Sequence, residues 1–70
     1  MKYLLINVFG YHGYSVMIHG NLDGLTEEEV IELCAEKDVF QDAEEDAECA
    51  SVVEADDNDI RCFYDDVIEV

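Results

Sequence analysis

The spacing of hydrophobic and polar positions predicts two strands at the start of this chain. From Lys2 to Phe9 apolar residues occupy both alternating sets of positions, which is typical of a central strand covered on both faces. The segment 10–13 contains two glycines and predicts a hairpin loop. Residues 14–19 then predict a second strand, and residues 20–24 a loop.

The clearest helix signal begins at Thr26. Thr26 followed by Glu29 matches a capping box, in which each side chain accepts a hydrogen bond from the backbone of the other residue. Val30, Leu33 and Cys34 then recur on one face at helical spacing. The opposite face is acidic and carries Glu28, Glu32 and Glu36.

The rest of the chain predicts a second pair of strands. Residues 38–48 fit either a short helix or an irregular loop. Residues 51–55 and 60–64 alternate like the strands of a hairpin around the turn 56–59, and residues 65–70 either extend the last strand or fray. We therefore expect one α+β domain covering residues 1–70, with a small four-stranded antiparallel sheet in ββα-ββ order and one main helix packed on one face.

Charge is extreme and segregated. The formal net charge is −16, and all 19 acidic residues lie between Asp23 and Glu69. Small soluble domains ordinarily carry a net charge of magnitude about 2 to 8. Half of the residues are hydrophobic, so the composition favours a folded core over disorder. A surface this negative is repelled by nucleic acid and by anionic membranes, so any partner should be basic.

The cysteines and the amino-terminal segment indicate the compartment. Three cysteines, an odd number without close spacing, are not typical of a secreted disulfide scaffold. The apolar run 3–9 is too short to span a bilayer, and no signal-peptide pattern surrounds it. We expect a cytoplasmic protein with reduced thiols.

No motif for catalysis or metal binding stands out. The acidic segment 56–59 lacks the alternating ligands and the glycine of an EF-hand loop, and His12, His19 and the cysteines lack zinc-ligand spacing. No nucleophile is placed beside a base by a local motif. The sequence therefore predicts a protein that is not an enzyme and that binds no cofactor or metal.

The acidic residues themselves predict the function. Glu28–Glu32 and Glu32–Glu36 are like-charge pairs at i,i+4, and their repulsion destabilises the helix. Carboxylates held on a rigid scaffold can take the place of DNA phosphates in a groove lined by Lys and Arg. Phe9 is expected in the core opposite Tyr14. For Tyr11 and His12 the sequence does not decide between a place in the core and a place in a binding interface. The predicted partner-binding residues are Glu28, Glu29, Glu32, Glu36, Asp42, Glu44, Glu45, Asp46, Glu48, Asp56, Asp57, Asp59 and Tyr11.

In length, acidic balance and unpaired carboxylates, the chain resembles small phage-encoded DNA-mimic inhibitors, including anti-CRISPR and anti-restriction proteins. The resemblance implies a target such as a CRISPR effector, a restriction enzyme or another nucleic-acid-binding protein, without direct binding of nucleic acid or membrane. Two alternatives remain open: an immunity protein or antitoxin that neutralises a basic toxin, and a halophilic small domain. The sequence also leaves the choice between monomer and homodimer open.

Overall fold

The computed structural model describes residues 2–11 and 13–70 and shows an α+β fold. The elements of this part of the chain, in order, are β1 (Lys2–Val8), β2 (Tyr14–Gly20), α1 (Glu27–Glu36), α2 (Ala43–Glu48), β3 (Ala50–Glu54), α3 (Asp57–Cys62) and β4 (Val67–Glu69). The predicted class, a sheet of four strands and the main helix are confirmed, but the strand predicted over 60–64 is not. In the described residues no helix is long and apolar enough to cross a membrane.

The four strands form one mixed sheet in the order β3-β1-β2-β4. β1 pairs antiparallel with both β2 and β3, but β4 lies parallel to β2. The prediction of an entirely antiparallel sheet is therefore wrong at β4. β3 and β4 occupy opposite edges of the sheet, so a tight hairpin between them is impossible.

The predicted second hairpin is replaced by a helix. Residues 57–62 form α3 instead of the turn and strand expected over 56–59 and 60–64. The reason is a second capping box: the Asp56 carboxylate accepts from the Asp59 N–H at 2.8 Å, and the Asp59 carboxylate accepts from the Asp56 N–H at 3.2 Å. Ile60 and Phe63, three residues apart, are half-buried. The last strand comes later, within the segment 65–70 that the sequence left open.

The main core lies between α1 and one face of the sheet. The capping box at Thr26 is present as predicted, and Val30 and Cys34 turn inward. They meet Ile6 of β1 and Ile18 of β2, which have no exposed surface. Within the open segment 38–48, residues 43–48 are helical, capped by Asp42.

The opposite face of the sheet is only partly covered: Met17 is buried there, whereas Val53 is 46% exposed. Met17 points away from α1, because its neighbours in the strand pairing are Leu5 and Val67, and it does not belong to the core under α1. Its exposed fraction is nevertheless 0%. The chain between β3 and β4 has to cross the sheet from edge to edge, and a right-handed crossover places it on this face.

The topology also decides where each helix begins and ends. β2 and β3 finish at the same end of the sheet, so α1 and α3 both start there, on opposite faces. α2 precedes β3 and therefore lies at the other end, where β1 ends and β2 begins. The tip of the first hairpin and α2 are thus brought together.

Candidate functional site

The outer face of α1 carries a row of three carboxylates. Glu28, Glu32 and Glu36 are exposed, and helical geometry separates neighbouring members by about 6 Å along the axis. Within the described chain none of them makes a hydrogen bond or an ion pair. The row runs from the start of α1 toward α2.

α2 adds exposed carboxylates next to α1. The two helices are in contact, and Glu44, Glu45 and Glu48 are exposed, with side chains that no donor in the described residues reaches. We call these carboxylates of α1 and α2 the acidic helical surface; its members are Glu28, Glu32, Glu36, Glu44, Glu45 and Glu48.

Five other carboxylates that were predicted to bind the partner stabilise the starts of helices. Each accepts a hydrogen bond from a backbone N–H at or next to a helix start, within 2.8–3.2 Å. A capping carboxylate is explained by local structure, so its role in partner binding stays a prediction. Sequence reasoning missed this role everywhere except at Glu29. The five are Glu29, Asp42, Asp46, Asp56 and Asp59.

The structure does not bring all of the predicted residues onto one surface. Asp56, Asp57 and Asp59 belong to the α3 segment, which crosses the face of the sheet opposite α1 and α2. Asp57 is exposed and makes no contact that would explain its charge. The predicted site therefore divides into the acidic helical surface and a smaller acidic group on α3.

Few of the charges are compensated. In the described part of the chain, Lys2 forms an ion pair with Glu54 at 3.0 Å, and the His19 Nδ1 makes a hydrogen bond with the Glu69 carboxylate at 3.0 Å. His19 also stacks on Tyr3, with ring centroids 4.1 Å apart. Neither contact involves the acidic helical surface, and no ion pair within the described residues neutralises its carboxylates.

The tip of the first hairpin contributes aromatic residues beside α2. The Phe9 N–H donates to the Cys49 carbonyl at 3.0 Å, and Tyr11 is 97% exposed. Phe9 is 63% exposed, and Tyr14 pairs with Val8. The expected core pair of Phe9 with Tyr14 is therefore wrong, because β1 ends one residue earlier. His12 lies outside the described residues.

A cavity of about 180 Å³ lies between this hairpin tip and α2. Its walls are residues 8–11 together with Glu45, Asp46 and Cys49. Asp46 is half-buried, and its Oδ2 accepts from the Tyr14 hydroxyl at 2.6 Å and from the Asp42 N–H at 3.1 Å. The cavity therefore combines apolar and aromatic residues with two acidic residues, and the carboxylate of Asp46 is fixed in place. We call it the hairpin–α2 pocket.

The three cysteines are free thiols in different environments. Cys34 is buried under α1, and burial raises the pKa of its thiol to about 11. Cys49 and Cys62 are exposed. Because a thiol needs its thiolate form to react, Cys34 is a core residue and not a nucleophile.

The described residues hold no group of three or more His, Cys, Asp or Glu side chains placed to bind a metal ion.

Comparison with known proteins gives no family assignment: no protein-family model, no curated protein and no solved structure matches this chain. The function is therefore argued from the surface alone.

Proposed function

We propose that this protein is an inhibitor that places its acidic helical surface in the nucleic-acid-binding groove of a basic partner protein. Carboxylates spaced about 6 Å apart on a rigid helix present repeated negative charge, as a phosphate backbone does. The partner's Lys and Arg side chains, which grip phosphates in its normal complex, would pair with these carboxylates. Nucleic acid would then be excluded from the groove.

The observation that carries the proposal is that carboxylates of this surface occupy positions where their negative charge destabilises α1 and α2. Glu28–Glu32 and Glu32–Glu36 are like-charge neighbours, each unfavourable by a few tenths of a kcal/mol, about 0.2–0.5. Glu36 and Glu48 are the last residues of α1 and α2, and the last turn of neither helix holds a basic residue. A negative charge is unfavourable there because the helix dipole is negative at its carboxyl end.

The proposal also covers the mode of action, the compartment and the cofactor requirement of the protein. The protein acts by binding and not by catalysis, it works in the cytoplasm among nucleic-acid-binding proteins, and it needs no cofactor. The targets implied by the resemblance, a CRISPR effector or a restriction enzyme, satisfy the requirement for a groove lined by Lys and Arg. Association should be fast and should weaken as salt is raised, because charge attraction steers the encounter.

The test is capture from host lysate followed by displacement with nucleic acid. Immobilised protein should retain a basic protein at low salt, and added duplex DNA should release it. The variant E32Q/E36Q/E48Q removes three charges from the acidic helical surface and should retain at least about tenfold less of that protein, since each lost charge pair at an interface is worth about 1 kcal/mol or more. Glu36→Gln and Glu48→Gln also remove unfavourable charges from helix ends, so this variant should fold.

A matched control removes the same charge elsewhere. D23N/D65N/D66N changes three exposed acids that are not among the predicted partner-binding residues and should leave capture within about twofold of the original. Equal loss in both triple variants would show that net charge, not this surface, binds the partner. A captured protein that DNA cannot displace would contradict the mimicry of nucleic acid and favour the immunity-protein alternative.

A further inference from the structure

We infer that the hairpin–α2 pocket receives one arginine side chain of the partner protein. This inference rests on the proposed function, because the arginine is one that lines the partner's groove. It adds a defined anchor to a surface that otherwise acts through the sum of its charges.

The lining of the pocket matches a guanidinium group. Tyr11 and Phe9 offer aromatic faces on which a planar cation can stack. Glu45 and Asp46 also line the pocket and supply two carboxylates. The volume of about 180 Å³ is too small for a drug-sized ligand, whose pockets span about 300–1,000 Å³, and it suits a single side chain.

Asp46 is the residue that makes the pocket a prepared site. Its Oδ2 is held by the Tyr14 hydroxyl and the Asp42 N–H, so the carboxylate cannot rotate freely. Its Oδ1 meets no donor among the described residues and can accept from the incoming guanidinium. A half-buried, fixed acceptor loses little entropy on binding, and its interaction is less screened by water than that of an exposed carboxylate.

The same features favour arginine over lysine. A guanidinium carries five donors in one plane and can contact both carboxylates while it stacks on an aromatic ring. A lysine ammonium has the same charge but gains much less from stacking. The pocket should therefore discriminate between two side chains of equal charge, which the acidic helical surface alone should not do.

Three short peptides test this without any knowledge of the partner. Acetyl-Gly-Arg-Gly-amide, its lysine analogue and its uncharged citrulline analogue are titrated into the isotopically labelled protein, and backbone NMR shifts are followed. The arginine peptide should bind about fivefold more tightly than the lysine peptide. The largest shifts should fall on Phe9, Tyr11, Glu45 and Cys49. Shifts spread along α1 without preference for arginine would overturn the inference.

Two pairs of variants isolate the pocket from general charge and from general aromatic content. Tyr11→Ala should reduce the arginine preference to within about twofold, whereas Tyr64→Ala, at a tyrosine also exposed but outside the pocket, should keep it. Glu45→Gln should weaken the arginine peptide more than Glu48→Gln, although both are exposed acids of α2. Equal behaviour within either pair contradicts the assignment.

Cys49 supplies an independent readout. It lines the pocket and is exposed, whereas Cys62 is exposed on α3. At half saturation with the arginine peptide, alkylation of Cys49 should slow about twofold while that of Cys62 stays unchanged. Unchanged alkylation of Cys49 at saturation would count against occupancy of the pocket.

The outcome is separable from that of the proposed function. The peptides report on the pocket without the partner, whereas E32Q/E36Q/E48Q leaves the pocket residues intact and reports on capture. Failure of the peptide experiments together with DNA-displaceable capture would remove only the anchor. Arginine binding without any DNA-displaceable partner would remove the mimicry of nucleic acid.

Discussion

The hydroxyl of Tyr14 donates to the carboxylate of Asp46 across 2.6 Å and joins the first residue of β2 to α2. The same hydroxyl accepts from the Gln41 N–H at 3.0 Å. Burial and the hydrogen bond to Asp46 raise the pKa of Tyr14 above its ordinary value of 10.0. This link holds α2 over the end of the sheet and so fixes one wall of the hairpin–α2 pocket.

Tyr14→Phe should lower the free energy of unfolding by about 1.5–3 kcal/mol, since it removes a hydrogen bond to a charged acceptor and leaves the Gln41 N–H without its partner. Urea denaturation measures the change. Tyr64→Phe is the control, because Tyr64 is exposed and its hydroxyl makes no hydrogen bond in the described structure. A loss of the same size at Tyr64 would show that the effect does not come from the Asp46 link.

Thiol reactivity should separate the three cysteines. At about pH 8 a thiol reagent should modify Cys49 and Cys62 quickly, because both are exposed. Cys34 should react only after denaturant unfolds the protein, because it is buried and its pKa is about 11. Mass spectrometry after timed alkylation assigns each site. Rapid modification of Cys34 in the native protein would contradict its place in the core.

Alkaline pH should destabilise the fold through the same thiol. Cys34 has its ordinary pKa of 9.0 in the unfolded chain and about 11 in the folded protein, so the unfolded state releases its proton first. The stabilisation is complete below pH 9 and falls as pH rises toward 11, by at most about 1.4 kcal/mol per pH unit. Urea denaturation of Cys34→Ala, compared at pH 8 and pH 10.5, should show a smaller drop than that of the original protein.

Asp38 offers a stabilising substitution. It follows the end of α1 with φ 58°, a left-handed conformation, and its N–H and that of Val39 donate to the carbonyls of Ala35 and Cys34. This is a Schellman ending, in which glycine is preferred. Asp38→Gly should raise stability by about 0.5–1 kcal/mol. Asp38→Ala removes the same charge but keeps the backbone strain, so it should gain clearly less in the same denaturation assay.

Moderate salt should stabilise the protein. The longest dimension is 28 Å, and the screening length falls from about 30 Å at 0.01 M salt to about 8 Å at 0.15 M, so repulsion among the carboxylates acts across the whole molecule only at low salt. The melting temperature should rise over this interval and then level off. A protein that stays unfolded until molar salt is added would instead support the halophilic alternative.

The local signals in the sequence were sufficient for the first half of the fold. Alternation over 2–9 and 14–19 predicted β1 and β2 to within one residue at each end. Thr26 and Glu29 marked the start of α1, because a capping box satisfies backbone groups only a few residues away. The sequence also predicted that Glu28, Glu32 and Glu36 lie on the outer face of α1, since helical spacing alone places them opposite Val30 and Cys34.

The second half shows where such signals are ambiguous. Residues 60–64 contain apolar side chains that fit both a period of two and helical spacing, and five residues are too few to decide between them. Asp56 and Asp59 repeat the pattern of Thr26 and Glu29 with shorter side chains, and this signal could have identified α3. The capping roles of Asp42, Asp46, Asp56 and Asp59 were likewise hard to recognise among 19 acidic residues.

The amino-acid sequence alone settled the charge, the class of fold and the helix that bears the acidic row, because these depend on composition and on contacts within a few residues. Only the tertiary structure decided that β4 joins β2 at the far edge, that the α3 acids lie on the other face, and that the hairpin tip meets α2. A hydrophobic pattern records which side chains leave water, but not which distant segment covers them. That choice depends on how the strands pair and how the connections cross the sheet.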